Sequence, residues 1–120
     1  MFTFLRFLFL GTFSILYCSE YPFNVGETLN YSVSFSNVKA GKGSLKIIQE
    51  DDSTFHVRFQ AKTNKLTSFI YPIDDIIDIW LDKTTLTPVI LKEDISEGNY
   101  KRKRIIRFFQ NEGNLVINNK

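Results

Sequence analysis

The sequence predicts an all-β fold: a curved antiparallel meander or half-open β-barrel with one short helical segment. Two patterns predict it. Apolar and polar residues alternate along several stretches, most clearly from Leu29 to Ser36, and a period of two is typical of a half-buried β-strand. Such stretches recur about every ten residues with polar turn formers between them, which is typical of an antiparallel meander.

The composition indicates a single globular domain. The chain has 120 residues, of which 43% are hydrophobic and 23% are charged. This length suits one domain, and this balance is that of a folded domain rather than a disordered chain. The formal net charge is only +2, so electrostatics give no reason to expect a nucleic-acid partner.

Residues 1–19 have the features of a secretory signal peptide. Arg6 supplies one positive charge, and the run from Phe7 to Cys18 contains no charged residue. This run fits the apolar region of a signal peptide, about 7–15 residues, and is short for a spanning helix. We therefore predict an exported protein, periplasmic or associated with the outer membrane, whose mature β-rich envelope domain covers residues 20–120. An uncleaved membrane anchor is the alternative.

Cys18 is the only cysteine, so the chain can form no intrachain disulfide. Its place at the end of the apolar run raises the alternative of lipidation, as in a bacterial lipoprotein. Tyr17 departs from the small residue expected immediately before a lipidated cysteine. We therefore favour removal of Cys18 together with the signal peptide.

The first half of the mature chain gives three predicted strands. The first follows the turn formers Pro22, Asn24 and Gly26 and begins at Leu29. Its end is predicted to be a bend or bulge over Val38–Gly43, because two glycines interrupt the alternation there. The other two predicted strands cover Ser44–Gln49 and Phe55–Lys62, with a polar turn over Glu50–Ser53 between them.

The second half begins with a change in the residue pattern. Apolar residues cluster without period two in Thr63–Pro72, which predicts a short helix near Leu66–Ile70. Ile73–Lys83 fits either a helical stripe or a strand, and its isoleucines and Trp80 favour the strand. The remaining predicted strands are Val89–Ile95, preceded by Pro88, then Tyr100–Phe109, and a last one starting at Leu115–Ile117.

Several short motifs together resemble the exported bacterial family called domain of unknown function 3108. They are Pro22-Phe23-x-Val25-Gly26-Glu27-x-Leu29-x-Tyr31, Ala40-Gly41, Ala61-Lys62-Thr63-Asn64, Tyr71-Pro72-Ile73-x-Asp75, Leu86-x-Pro88, Glu97-Gly98-x-Tyr100 and Phe108. The resemblance implies a β-rich envelope protein that is secreted, periplasmic or lipid-anchored. It implies no catalytic residue and no cofactor. Members are longer than this chain, so an N-terminal fragment of a longer member is a further expectation.

No arrangement of side chains in the sequence indicates an enzyme or a metal site. His56 is the only histidine and has no second histidine or cysteine at ligand spacing, so we interpret it as a solvated surface residue. Asp78 and Asp82 fall on one strand face, as charges on a wet face would. Asp75 matches the family pattern, and we expect it to cap the turn after Pro72 or to hold the Thr63–Asn64 segment.

The basic run Lys101–Arg104, continued by Arg107, has two interpretations. It could contact the phosphates of anionic lipid. It could equally form cross-strand ion pairs with Glu93, Asp94 and Glu97 on the other side of the predicted hairpin turn. We favour the ion pairs, because such surface pairs are common.

An apolar face of the predicted sheet is the candidate binding surface. We predict a concave core that contains Leu29, Tyr31, Val33, Phe35, Leu45, Ile47, Phe55, Val57, Phe59, Ile77, Ile79 and Leu81. Within it, Tyr31, Phe35, Phe55 and Phe59 are the candidate contacts for a lipid or other hydrophobic ligand, and Asp75 and Asn64 are the candidate polar residues. The predicted function is non-enzymatic. The alternatives are docking onto another envelope protein through an open sheet edge and, third, an enzyme that uses Asp75.

Overall fold

The computed structural model describes residues 21–120, which form one open antiparallel sheet of seven strands in sequence order. The strands are β1 Thr28–Phe35, β2 Val38–Glu50, β3 Thr54–Thr63, β4 Asp74–Asp82, β5 Pro88–Glu97, β6 Tyr100–Phe109 and β7 Asn114–Asn119. A single helical turn, α1 Lys65–Ser68, lies between β3 and β4, and a 3₁₀ turn, Gln110–Glu112, precedes β7. The predicted all-β meander is therefore confirmed. The predicted signal peptide and Cys18 lie outside the described residues.

The hairpin between β1 and β2 agrees with the prediction in part. The two-residue turn is Ser36–Asn37, and both residues have positive φ, at 46° and 65°. Two-residue hairpin turns of this hand match the twist of the flanking strands. The prediction of a bend or bulge over Val38–Gly43 is confirmed as a bulge within β2. Val33 pairs with Gly41 and Ser34 pairs with Lys39, which leaves Ala40 as the extra residue on β2. Glycine is used there for its small size rather than for a turn.

The turn between β2 and β3 forms as predicted. The Asp51 carboxylate accepts hydrogen bonds from the backbone N–H groups of Ser53, at 2.8 Å, and Thr54, at 2.7 Å. The hydroxyls of the same two residues also donate to it. The backbone hydrogen bonds from Ser53 and Thr54 lower the pKa of Asp51 to about 2. These hydrogen bonds therefore favour the charged form of the carboxylate, which accepts all four of them.

The segment after β3 also agrees with the sequence. The side chain of Asn64 accepts a hydrogen bond from the Thr67 backbone N–H at 2.8 Å and so caps α1, as asparagine often does at a helix start. The ambiguous Ile73–Lys83 stretch is strand β4, as its β-branched residues favoured. Within residues 21–120, no helix has the length and apolar character that crossing a membrane requires.

The buried core is smaller than predicted. Ile47, Phe55 and Val57 form its main cluster, against which Tyr21, Phe23, Leu45 and Leu81 pack. Ile95 and Ile106 are also buried, on β5 and β6. The rings of Tyr21 and Phe23 lie edge-on against Phe55, with centroids 4.7 and 5.0 Å away. The N-terminal segment therefore covers one part of the apolar face and leaves Phe55 only 2% exposed.

The predicted burial of β1 is wrong. All eight of its residues are exposed, including the four predicted for the core: Leu29, Tyr31, Val33 and Phe35. The described chain forms a single sheet layer, and no second layer covers β1. Alternation correctly predicted the strand and its apolar face, but burial also requires a partner layer.

Candidate functional site

One corner of the sheet brings together residues that are far apart in the sequence. The backbone N–H of Asn64 donates to the carbonyl of Ala40 at 3.0 Å, and the side-chain amide of Asn64 donates to the carbonyl of Lys39. These bonds fix the start of α1 beside the β1–β2 hairpin. Asn64, one of the two predicted polar residues, therefore has a defined structural role at this corner.

Gly41 allows the strands to come close at this corner. A Cβ added to Gly41 would lie 2.6 Å from the carbonyl oxygen of Lys62 and 3.2 Å from the Cα of Thr63. Both neighbours are backbone atoms, so they cannot move aside as a flexible side chain could. The position therefore requires glycine for space.

The start of β4 completes the same corner. The Thr63 backbone N–H donates to the carbonyl of Ile73 at 3.1 Å, and the Gly98 N–H donates to the carbonyl of Pro72 at 2.7 Å. Gly98 has a φ of 57° and lies against the Tyr71 ring, which an added Cβ would approach to 2.9 Å. The contact with Gly98 therefore positions the Tyr71 ring at this corner of the sheet.

An apolar pocket of about 190 Å³ lies between these segments. It is lined by Val33, Ala40, Gly41, Lys42, Ala61, Lys62, Thr63, Thr67, Tyr71 and Ile73. Small residues on β2 and β3 make its floor, while Thr67 and Tyr71 come from α1 and the segment that follows it. Ligand sites for drug-sized molecules are usually about 300–1,000 Å³, so this pocket suits one slender apolar group.

Strongly exposed apolar side chains lie on the elements that border the pocket. We name this set the apolar corner: Phe35 and Val38 beside the hairpin turn, and Leu66, Phe69 and Ile70 in and after α1. Phe35 is 79% exposed, Phe69 89% and Ile70 85%. Large apolar side chains grouped at such exposure are uncommon on a monomer and mark an interaction surface.

The four predicted ligand contacts occupy different environments. Tyr31 and Phe35 are exposed on β1, near Val33 at the edge of the pocket. Phe59 is half-buried on β3, next to Gly43. Phe55 lies in the core, under Tyr21 and Phe23, and the Lys83 ammonium lies 5.0 Å from its ring centroid. None of the four lines the pocket, although Tyr31 is two residues from the lining residue Val33 on β1 and Phe59 is two residues from Ala61 on β3.

Asp75 has neither of the two roles expected for it. It is 8% exposed and accepts a hydrogen bond from the backbone N–H of Ser96 on β5 at 2.9 Å. A hydrogen bond with Asp75 also raises the pKa of the Glu97 carboxyl. Asp75 thus binds the β5 end rather than the turn after Pro72 or the Thr63–Asn64 segment. The corner places this carboxyl pair beside the Gly98 turn.

The basic run on β6 forms the predicted cross-strand pairs in part: Arg102, Lys103 and Arg104 pair with Glu93 or Asp94, and Glu97 pairs with none of them. Arg104 binds the Glu93 carboxylate with two nitrogens, and Arg102 also contacts Glu93, at 3.0 Å. Lys103 pairs with Asp94 at 2.9 Å. The hydrogen bond from Arg104, with the charge of both arginines, lowers the pKa of Glu93. These contacts give the basic run a structural role.

His56 is not the solvated surface residue that was predicted. Its side chain is 14% exposed, and its Nε2 atom lies 2.7 Å from the Asp78 carboxylate. The imidazole stacks on the Trp80 indole, with centroids 4.3 Å apart and an interplanar angle of 10°. Asp78 is likewise not on a wet face, because Arg58 binds both of its carboxylate oxygens, at 2.8 and 3.0 Å.

We expect Asp78→Asn to lower the free energy of unfolding by about 1–3 kcal/mol near neutral pH, because Arg58 and His56 lose a charged acceptor. Burial raises the pKa of Asp78, but hydrogen bonds from Arg58 and His56 outweigh it, so the pKa lies below 3.8. The stabilisation is therefore complete above pH 3.8 and is lost as the pH falls through the folded-state pKa. Denaturant unfolding at neutral pH and below pH 3.8 measures both effects.

The matched control for this prediction is Asp52→Asn. Asp52 is exposed in the β2–β3 turn and has no hydrogen bond or ion pair within residues 21–120. Its replacement should leave the unfolding free energy unchanged at both pH values. An Asp78→Asn effect that stays the same as the pH is lowered through the folded-state pKa of Asp78 would contradict the charge-based account.

None of the pocket-lining residues was predicted as a ligand contact, although the family motifs contained a usable signal. Ala40-Gly41, Ala61-Lys62-Thr63-Asn64 and Tyr71-Pro72-Ile73 are separate in the sequence and supply most of the lining. Their convergence depends on the strand register between β2, β3 and β4, which pairs Gly41 with Thr63 and Ala61 with Asp75. Alternation alone does not give that register.

The fold and the site define a class: an open antiparallel meander with an apolar pocket and an exposed apolar corner at one end. Residues 30–120 match the family model described as "Protein of unknown function (DUF3108)". The chain belongs to this family. No curated protein and no solved structure matches it.

Proposed function

We propose that this chain is a non-enzymatic, exported envelope protein that binds one acyl chain or similarly slender hydrophobic ligand in the corner pocket. The pocket under Tyr71 is the observation that carries the proposal, because it is apolar, open to solvent and about 190 Å³. Export to the periplasm or outer membrane is part of the proposal and is supported by the signal-like residues 1–19.

The lining supports an aliphatic ligand rather than a polar one. Ala40, Ala61 and Ile73 offer alkyl surface, and Gly41 exposes backbone without adding bulk. Burying alkyl groups yields about 0.8 kcal/mol per methylene, so even a few methylenes in the pocket give measurable affinity. The exposed ring of Phe35 and the half-exposed ring of Tyr31 extend the apolar surface along β1 beyond the pocket.

Filling the pocket tests the proposal. We expect the fluorescent fatty acid cis-parinaric acid to bind the full chain, and Ala61→Leu to weaken that binding by about tenfold or more. The reason is that the added side chain would occupy the ligand's space, and overpacking costs about 1–3 kcal/mol. A fluorescence titration of both proteins measures the two dissociation constants.

The matched control is Gln60→Leu, which places a leucine side chain one residue away on the opposite face of β3. It should bind the fatty acid as the unchanged protein does. Denaturant unfolding must show that Ala61→Leu is folded. Equal binding by both variants, or no binding by the unchanged protein, would contradict the proposal.

Docking onto another envelope protein through the β1 edge is the second candidate. Strand β1 lies at the edge of the sheet, and its eight residues, TLNYSVSF, contain no charge and no proline. Edge strands are usually protected by such residues, because an open edge can accept another strand. An added strand would therefore find unpaired backbone groups and alternating apolar side chains. Asn30→Lys would introduce a charge there and is expected to abolish a complex of this kind.

A further inference from the structure

We propose that the apolar corner docks the protein onto the surface of an anionic lipid membrane. The corner combines two elements, the tip of the β1–β2 hairpin and α1 with the residues that follow it. This inference concerns a surface and not the pocket, so it does not depend on a ligand bound there.

The apolar part of the surface projects from the sheet. Phe69 and Ile70 leave the end of α1 with 89% and 85% of their surface exposed, and Leu66 is also exposed. Phe35 and Val38 face each other across the hairpin turn and are exposed as well. Side chains of this kind enter the interfacial layer of a bilayer, and their burial there drives binding.

The charge around the corner matches an anionic surface. The segments 28–43 and 61–71 contain four lysines, Lys39, Lys42, Lys62 and Lys65, and no aspartate or glutamate. The acidic residues nearby are Asp74 and Asp75 at the start of β4 and Glu97 at the end of β5, and Asp75 is buried. Lys62 pairs with Asp74 at 2.8 Å. The other three lysines have no ion pair within residues 21–120, so their ammonium groups remain available for lipid phosphates. Each lysine near an anionic membrane contributes about 1 kcal/mol.

The backbone at the corner is suited to shallow insertion. The N–H groups of Ser68, Phe69, Ile70 and Tyr71 all donate to carbonyls within the segment from Asn64 to Thr67. Phe35 and Val38 pair with each other at the hairpin end. Polar backbone groups that enter an apolar layer must be hydrogen-bonded, and these four N–H groups after the start of α1 are. Lysine stems can lie along the inserted side chains while their charges reach the phosphates.

Vesicle flotation with the full chain tests the proposal. We expect the protein to float with vesicles of phosphatidylcholine and phosphatidylglycerol and less with phosphatidylcholine alone. Lys39→Gln and Lys65→Gln should each weaken binding to the anionic vesicles by about fivefold, which corresponds to about 1 kcal/mol per lysine. Phe69→Ser and Ile70→Ser should each weaken it by about tenfold or more, because the apolar side chain is lost.

The matched control is Leu115→Ser with Ile117→Ser, which removes two half-exposed apolar side chains from β7 at the opposite edge of the sheet. Vesicle binding by this control should be unchanged. Absence of flotation with anionic vesicles would overturn the proposal, and so would an equal loss in the control. Equal binding to both vesicle types would overturn the role of the lysines. None of these outcomes depends on fatty-acid binding, so the pocket and the membrane surface are tested separately.

Discussion

Phe55→Ala is expected to lower the free energy of unfolding by about 3–5 kcal/mol, the cost typical of truncating a buried aromatic side chain. Phe55 is the most buried large side chain of the core, and Tyr21, Phe23 and Lys83 all contact its ring. Its removal would therefore release the N-terminal segment as well as leave a cavity. Because small domains are stable by only about 5–15 kcal/mol, a large part of the total would be lost.

Denaturant unfolding measures this loss, and Phe69→Ala is the matched control. Phe69 is also a phenylalanine but is almost fully exposed, so its truncation should change the free energy of unfolding by less than about 0.5 kcal/mol. Similar losses in the two variants would contradict the burial pattern. Such a result would mean that Phe69 is covered in solution, and that this covering layer contributes as much to the free energy of unfolding as the core around Phe55.

Gly41→Ala is expected to destabilise the protein by about 1–3 kcal/mol and to disturb the corner pocket. The added Cβ would lie 2.6 Å from the Lys62 carbonyl oxygen, so β2 and β3 must separate to accommodate it. Overpacking against backbone atoms typically costs this much. Denaturant unfolding gives the change in stability, and cis-parinaric acid titration gives the change in the pocket.

Gly43→Ala is the control for this second prediction, two residues along the same strand. Its added Cβ would meet its nearest atoms at 3.7–3.8 Å, which is ordinary van der Waals contact. Replacing glycine where alanine fits stabilises a protein by about 0.4–1 kcal/mol, because the unfolded chain loses freedom. Destabilisation of similar size in both variants would show that the close approach at Gly41 is not the cause.

The elements were predictable because their signals are local. Alternation and polar turns marked the strands, and the β-branched residues of Ile73–Lys83 correctly favoured β4. The ion pairs between Glu93 and the arginines of β6 were predictable for the same reason, since only a two-residue turn separates β5 from β6. Short hairpins fix their own register.

Features that depend on distant pairing could not be predicted. His56 was interpreted as solvated because its partners, Asp78 and Trp80, lie more than twenty residues away, on another strand. Gly41 was predicted to lie in a bend or bulge, but its close approach to the Lys62 carbonyl could not be predicted, because that approach arises only when β2 and β3 pair. The exposure of β1 also required the structure, since alternation indicates an apolar face but not what covers it.

The central claim is that this protein carries a slender hydrophobic ligand, and native mass spectrometry of the full chain, purified from its own cells without detergent, tests it most directly. We expect a monomer with an added mass that organic extraction releases, and we expect Ala61→Leu to lack that mass. A ligand-free monomer would contradict the claim. A ligand-free complex that Asn30→Lys abolishes would also contradict it, and would favour docking through the β1 edge.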